Sequence, residues 1–179
     1  VMFTLDPDSG FDQASLVTGA WGRGENVVQG NVNTDGLIVS KPMLNTAAKP
    51  VISHKLGSKE KTMVYSSLNM EQVVKPEDAV VNMDTSPDLR DQYILSDEEV
   101  VQLAKWAMII EAHYQCHMDI EWAKDGSNGK LYIVQARPET VHSQRKPRPY
   151  IQYDLLEKGA TLCTGAGLGS KIVSGRARV

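Results

Sequence analysis

Two short runs, His117–Ala123 and Lys130–Arg137, flank the turn-forming stretch Lys124-Asp125-Gly126-Ser127-Asn128-Gly129. Both runs carry β-branched and aromatic residues in near-alternation, and the intervening glycines, Asp and Asn suit a tight reversal. The pattern predicts a β-hairpin. If Lys124 pairs with Lys130, then Asp119 faces Gln135, Glu121 faces Ile133 and Arg137 faces His117. Side chains alternate across a strand. One face then holds Met118, Ile120, Trp122, Tyr132, Val134 and Ala136, an apolar set that should bury. The other holds His117, Asp119, Glu121, Leu131, Ile133, Gln135 and Arg137. A slip of one residue would scramble this division, which favours the register.

The polar face gathers two carboxylates, an amide and a guanidinium. Carboxylate and amide oxygens are hard ligands of the kind that hold Mg²⁺ against phosphates. A guanidinium suits bidentate phosphate contact and charge that develops in transfer. Phosphoryl transfer asks a protein mainly for positioning and charge neutralisation. A merely solvated face with weak ion pairs would look the same, and from spacing alone the two readings stand level.

Strands and turns dominate the first third. Val1–Leu5 reads as a strand, Leu5–Gly10 as a turn and Ala14–Ala20 as a second strand. Trp21-Gly22-Arg23-Gly24-Glu25 interrupts it, and Asn26–Gln29 reads as a helical turn stopped by Gly30. Leu37–Ser40 and Thr62–Tyr65 are further strand candidates. Pro42, Pro50, Pro76 and Pro87 argue against long helices there. The clearest helix opens at Ser96-Asp97-Glu98-Glu99, a capping box, and its apolar spacing runs from Val100 through Ile110, with the end near His113 or Tyr114. A basic, proline-containing linker follows at Gln144–Pro149. There is no internal repeat.

The chain of 179 residues can bury one real core. With 41% hydrophobic and 23% charged residues and a net charge of -3, it reads as globular, with no electrostatic footprint for nucleic acid. No apolar run reaches the ~18 residues of a membrane span, and no secretory signal is visible. Cys116 and Cys163 are far apart, with no CxxC pair, and read as reduced thiols in a cytoplasmic protein. The apolar, extended ends at Val1–Leu5 and Lys171–Val179 suggest a piece of something longer.

Several stretches are familiar. Met118-Asp119-Ile120-Glu121-Trp122, with Gly129-Lys130-Leu131-Tyr132-Ile133-Val134-Gln135-Ala136-Arg137-Pro138-Glu139-Thr140, resembles the end of the ATP-grasp domain of phosphoenolpyruvate synthases (pyruvate, water dikinases). Val1-Met2-Phe3-Thr4 resembles a strand of the same domain, and Trp21-Gly22-Arg23-Gly24-Glu25 with Val27-Val28-Gln29-Gly30 resembles its glycine-rich segment. Lys171–Val179 resembles the opening strand of the family's swivelling phosphohistidine domain. The resemblance implies an α+β fold, an antiparallel sheet with packed helices forming part of an ATP-grasp subdomain over residues 1–142. A linker at 143–158 and the first strands of the swivelling domain at 159–179 would follow.

It also implies a reaction. ATP phosphorylates a histidine on the mobile domain, and pyruvate becomes phosphoenolpyruvate with release of AMP and phosphate. Carried over by position, Glu121 and Gln135 would be Mg²⁺ ligands. Asp119 would support nucleotide or metal, Arg137 would bind the transferring phosphates as the catalytic residue, and Glu25 would lie near the nucleotide. The expected cofactors are ATP and Mg²⁺. The triphosphate-binding half, the phosphohistidine and the pyruvate site would lie outside this chain, leaving it catalytically incomplete. A homodimer of the full-length protein is compatible with the resemblance. Two departures stand out: the family usually has Leu where Arg23 sits, and a Pro-Asp-Glu-like run where this chain reads Thr34-Asp35-Gly36.

The alternatives are a related dikinase-type phosphotransferase with another acceptor, such as an antibiotic or a glucan, and a nucleotide-binding domain that has lost catalysis. Gly165-Ala166-Gly167-Leu168-Gly169-Ser170-Lys171 matches neither the dinucleotide nor the phosphate-loop pattern. His113, Cys116 and His117 are too few for a metal site and read as structural, as do Trp21, Trp106 and Trp122.

Overall fold

A computed structural model describes residues 1–46, 49–66, 79–140, 156–157, 159–161 and 175–176. The linker, the predicted swivelling-domain strands and the Gly165–Lys171 run lie outside these residues almost entirely. The architecture is α+β. Strands β1 (Met2–Phe3), β2 (Ala14–Gly19), β3 (Asp35–Ser40), β4 (Val51–Lys55), β7 (Met118–Lys124) and β8 (Leu131–Pro138) form a six-stranded sheet in the order β4-β3-β2-β1-β7-β8. Each neighbouring pair is antiparallel. β5 (Lys61–Tyr65) and β6 (Val80–Asp84) form a separate antiparallel pair. Helix α1 (Glu25–Val28), a 3-10 turn (Lys41–Met43) and helix α2 (Pro87–Arg90) are short, and α3 (Asp97–Tyr114) is the long helix.

Helix α3 begins and ends where its local chemistry dictates. Ser96 Oγ accepts from Glu99 N at 3.3 Å, and Ser96 N donates to Glu99 Oε2 at 2.9 Å, the two halves of a capping box. Gln115 takes φ 54 and stops the helix, its N–H donating to Glu111 O at 2.8 Å. Val100, Leu103, Ala104 and Ala107 form the buried stripe. They pack on one face of the sheet against Met2, Val17, Leu37, Val39, Met118, Ile120 and Leu131. Burying a side chain such as Leu103 contributes about 1.5–3 kcal/mol. Trp21, Trp106 and Trp122 are partly buried against this core.

The short β1 splices the hairpin to the meander, because Met2 pairs with both Val17 and Ile120. Thr4 clips it in place: its N–H donates to Met118 O at 3.0 Å and its hydroxyl accepts from Met118 N at 2.8 Å.

A buried ion pair fastens the far side. Asp35, at the start of β3, accepts from Lys59 Nζ at 2.5 Å, Gly57 N at 2.8 Å and Ile94 N at 3.0 Å. Both charged side chains are fully buried. Gly57 has no room for a side chain, since a Cβ would sit 2.3 Å from the Thr34 carbonyl.

The predicted strands over 14–20, 37–40 and 62–65 are present with ends shifted by a residue or two, and the helical turn after Gly24 is α1. β4, β6 and α2 were not foreseen. The short helices at Pro42 and Pro87 carry proline in the first turn, where its missing N–H costs nothing.

The hairpin exists, but its register differs from the expectation. Asp119 pairs with Arg137 and Glu121 with Gln135; Trp122 then pairs with Ile133 and Lys124 with Leu131. A β-bulge between the Glu121 and Trp122 pairs leaves Val134 as the extra residue. The bulge swaps the faces of β8 beyond it. Leu131, assigned to the polar face, is buried in the core, while Tyr132 and Val134, expected to bury, are 47% and 64% exposed. Met118, Ile120 and Ala136 keep their expected side.

Candidate functional site

The corrected register brings the candidate residues closer than the expected one did. Residues directly opposite in an antiparallel pair share a face, with Cβ atoms about 4.5–5.5 Å apart. The opposed pairs Asp119–Arg137 and Glu121–Gln135 are therefore adjacent rungs on the sheet face away from α3. Arg137 Nε donates to Asp119 Oδ2 at 2.8 Å, and Nη2 lies 2.7 Å from the same oxygen. The Asp119 side chain is 12% exposed and that of Arg137 58%. The carboxylate raises the Arg137 pKa above its usual value, so this guanidinium is a fixed positive charge. Asp119 Oδ1 is buried without a hydrogen-bond partner among the described residues. An orphaned carboxylate oxygen is costly unless something else approaches it.

His117 is not opposite Arg137. It precedes β7, its carbonyl accepts from Glu139 N at 2.7 Å, and its Nδ1 lies 2.6 Å from Glu111 Oε1. Lys41 Nζ donates to the same Glu111 carboxylate at 2.8 Å.

The glycine-rich segment reaches the same neighbourhood. A cleft of about 670 Å³ is lined on one side by Gly22, Arg23 and Gly24, and on another by Glu121 and Lys124. Met63 and Tyr65 of β5 also line it. Gly22 takes φ 83, and a Cβ there would lie 2.3 Å from Met63 O, so only glycine fits. Of Asp119, Glu121, Gln135 and Arg137, Glu121 lines the cleft, with Gln135 opposite it and the Asp119–Arg137 pair one rung behind. Glu25 is not among the cleft's lining residues: its carboxylate accepts from Arg23 Nη2 at 2.8 Å and from Nε at 3.1 Å. These bonds lower the Glu25 pKa.

The donor set fits a hard divalent cation shared with phosphates. Mg²⁺ is usually held by one or two protein oxygens, completed by phosphate oxygens and water, and Glu121 with Gln135 offers one carboxylate and one amide carbonyl. Among the described residues there is no cluster of three or more His, Cys, Asp or Glu side chains that would hold a metal by itself.

The sequence reading missed the partners of Arg23, including Tyr65, and the Asp35–Lys59 pin. Arg23 had one available signal, its departure from the pattern it resembles. Asp35 had the same signal but no visible partner, because Lys59 lies across a loop.

Comparison with known proteins gives the family. Residues 1–158 match the family described as pyruvate phosphate dikinase, AMP/ATP-binding domain. The chain belongs to this family. It is 48% identical to a phosphoenolpyruvate synthase of Pseudomonas aeruginosa over 179 residues, 45% to one of Synechocystis sp. over 185 and 44% to one of Escherichia coli over 180. Each match covers 100% of this chain and 22% of the relative. The mixed α+β architecture with its antiparallel sheet suits the ATP-grasp type of this dikinase domain. Among the described residues no helix is long and apolar enough to cross a membrane.

Proposed function

We propose that this segment is the Mg-ATP phosphate-binding part of a phosphoenolpyruvate synthase. In the whole protein, ATP phosphorylates a histidine carried on another domain. That step, with water, releases AMP and phosphate, and the phosphohistidine then passes its phosphoryl group to pyruvate to give phosphoenolpyruvate. The observation that carries this reading is the pair of adjacent rungs, Glu121–Gln135 and Asp119–Arg137, set beside the cleft of the glycine-rich segment.

Glu121 and Gln135 would hold Mg²⁺ through their oxygens. The cation would supply charge neutralisation between phosphate oxygens. Arg137, kept charged and aimed by Asp119, binds the phosphoryl group in transfer and stabilises the charge that develops there. Asp119 keeps Arg137 in place and has one oxygen left for the nucleotide or metal side. The pyruvate site and the phosphohistidine belong to other parts of a cytoplasmic protein, and the segment alone is inactive.

The test is phosphorus NMR of the full-length protein with ATP, Mg²⁺ and pyruvate. Joint appearance of AMP, phosphate and phosphoenolpyruvate is the expected result. ATP consumption only with a different acceptor would move the function to another phosphotransferase, and none with any acceptor would reduce the segment to a binding domain.

A further inference from the structure

Arg23, where the sequence departs from the family pattern, is held from three directions. Its backbone N–H donates to Met63 O at 2.9 Å. Its guanidinium donates to Glu25 through both Nε and Nη2. Its Cζ lies 4.7 Å from the centroid of the Tyr65 ring, a cation–π contact. The contact gives a role to a tyrosine that is otherwise 73% exposed on β5. The neighbouring residues add to the seam. Gly22 forms a parallel bridge with Met63, and Asn26 Nδ2 donates to Asn82 Oδ1 of β6 at 2.6 Å. The glycine-rich loop is therefore joined to the small two-stranded sheet at Gly22, Arg23 and Asn26. Gly22, Arg23 and Gly24 at the same time line the cleft that Glu121 also lines.

We propose that Glu25, Arg23 and Tyr65 form a latch that clamps the glycine-rich loop onto the small sheet and so fixes the position of one cleft wall. Glu25 is then a positioning residue that acts through Arg23 and does not touch the nucleotide. The lowered Glu25 pKa and raised Arg23 pKa agree with a pair satisfied internally. The proposal rests on the reading of the cleft as the Mg-ATP site and replaces the direct nucleotide contact expected for Glu25 from sequence.

A charge exchange in the full-length protein tests it. Arg23→Glu and Glu25→Arg each leave two like charges at positions 23 and 25. Each is expected to raise KM for ATP by about fivefold or more with a smaller change in kcat, the signature of lost pre-positioning. The double variant re-forms the ion pair with reversed polarity but sets a carboxylate against the Tyr65 ring, so KM should fall below that of either single variant without reaching wild type. Tyr65→Leu should raise KM in the same direction. At saturating ATP the apparent Mg²⁺ requirement should stay unchanged throughout. Failure of the double variant to recover, or a shifted Mg²⁺ requirement in Glu25→Arg, would overturn the latch in favour of direct ligand contact. Unchanged KM in both single variants would overturn it as well. Thermal unfolding of wild type, the two single charge variants and the double variant reads the coupling without nucleotide. A wild type that consumes no ATP would thus sink the ATP reading alone, while absence of thermal coupling would sink the latch alone.

Discussion

Arg137 and Asp35 are both charged residues paired at short distance, yet their burial assigns them opposite fates on mutation. Arg137 is largely exposed, so Arg137→Ala should leave the fold intact, with a thermal midpoint a few degrees lower because Asp119 loses its partner, while lowering phosphoryl transfer by about 10²–10³-fold, the usual cost of removing a charge-stabilising donor. Turnover and a melting curve on the same sample check this, and near-normal turnover would remove Arg137 from the chemistry. Asp35 is fully buried with Lys59 and also caps two backbone N–H groups. Asp35→Ala strands a buried ammonium and two donors, and should cost about 3–5 kcal/mol in denaturant unfolding. Asp35→Leu with Lys59→Met should recover part of that loss, because no charge is left behind. A single-variant loss under 1 kcal/mol would show that the pair is not a fastening. The pairing of Arg137 was invisible in sequence only in its partner: all four polar hairpin residues were legible by type. Asp35–Lys59 was illegible because neither residue has a local pattern and the loop between them fixes their meeting in three dimensions.

At the scale of elements, legibility followed how local each determinant is. Helix α3 was readable at both ends because Ser96 and Glu99 close a box within four residues and the apolar stripe continues to Ile110. The hairpin was readable in existence but not in register. Leu131, Tyr132, Ile133 and Val134 are all apolar, so alternation cannot say which two face the core, and a bulge at Val134 satisfies packing as well as uniform pairing does. β4 and β6 escaped notice because they are held by long-range pairing, with polar or exposed residues along much of their length.

The bulge has a direct test. Deleting Val134 leaves Leu131, Ile133 and Ala136 on the core side and Tyr132 and Gln135 on the other, so the fold should survive with a thermal midpoint close to wild type. The local twist at the Glu121–Gln135 rung changes, however, since bulges re-aim neighbouring side chains. KM for ATP should rise by about tenfold or more, a misplacement effect. A collapse of stability would mean that the faces beyond the bulge are assigned wrongly. A smaller element-scale prediction is that Ser96→Ala costs about 1 kcal/mol in urea unfolding, the ordinary value of a lost helix cap.

For the whole molecule, the sheet has its helix on one side only among the described residues, and the candidate site occupies the other side and the cleft at its end. An ATP-grasp reading needs a second body to close over that surface. The chain spans 22% of its relatives, and the 179-residue chain by itself should release no AMP above blank from ATP, Mg²⁺ and pyruvate in an assay where a full-length relative does. Measurable AMP from the segment alone would contradict the proposed division of labour.

Among the described residues β8 closes one edge of the six-stranded sheet, and Tyr132, Ile133 and Val134 along it are exposed. At the bench this strip becomes a handling problem. Excised from its neighbours, such an edge offers unpaired ladder groups and an apolar row to the next copy. A preparation of the segment should scatter more light as it is concentrated, and a lysine placed at 134 should keep it clear in storage.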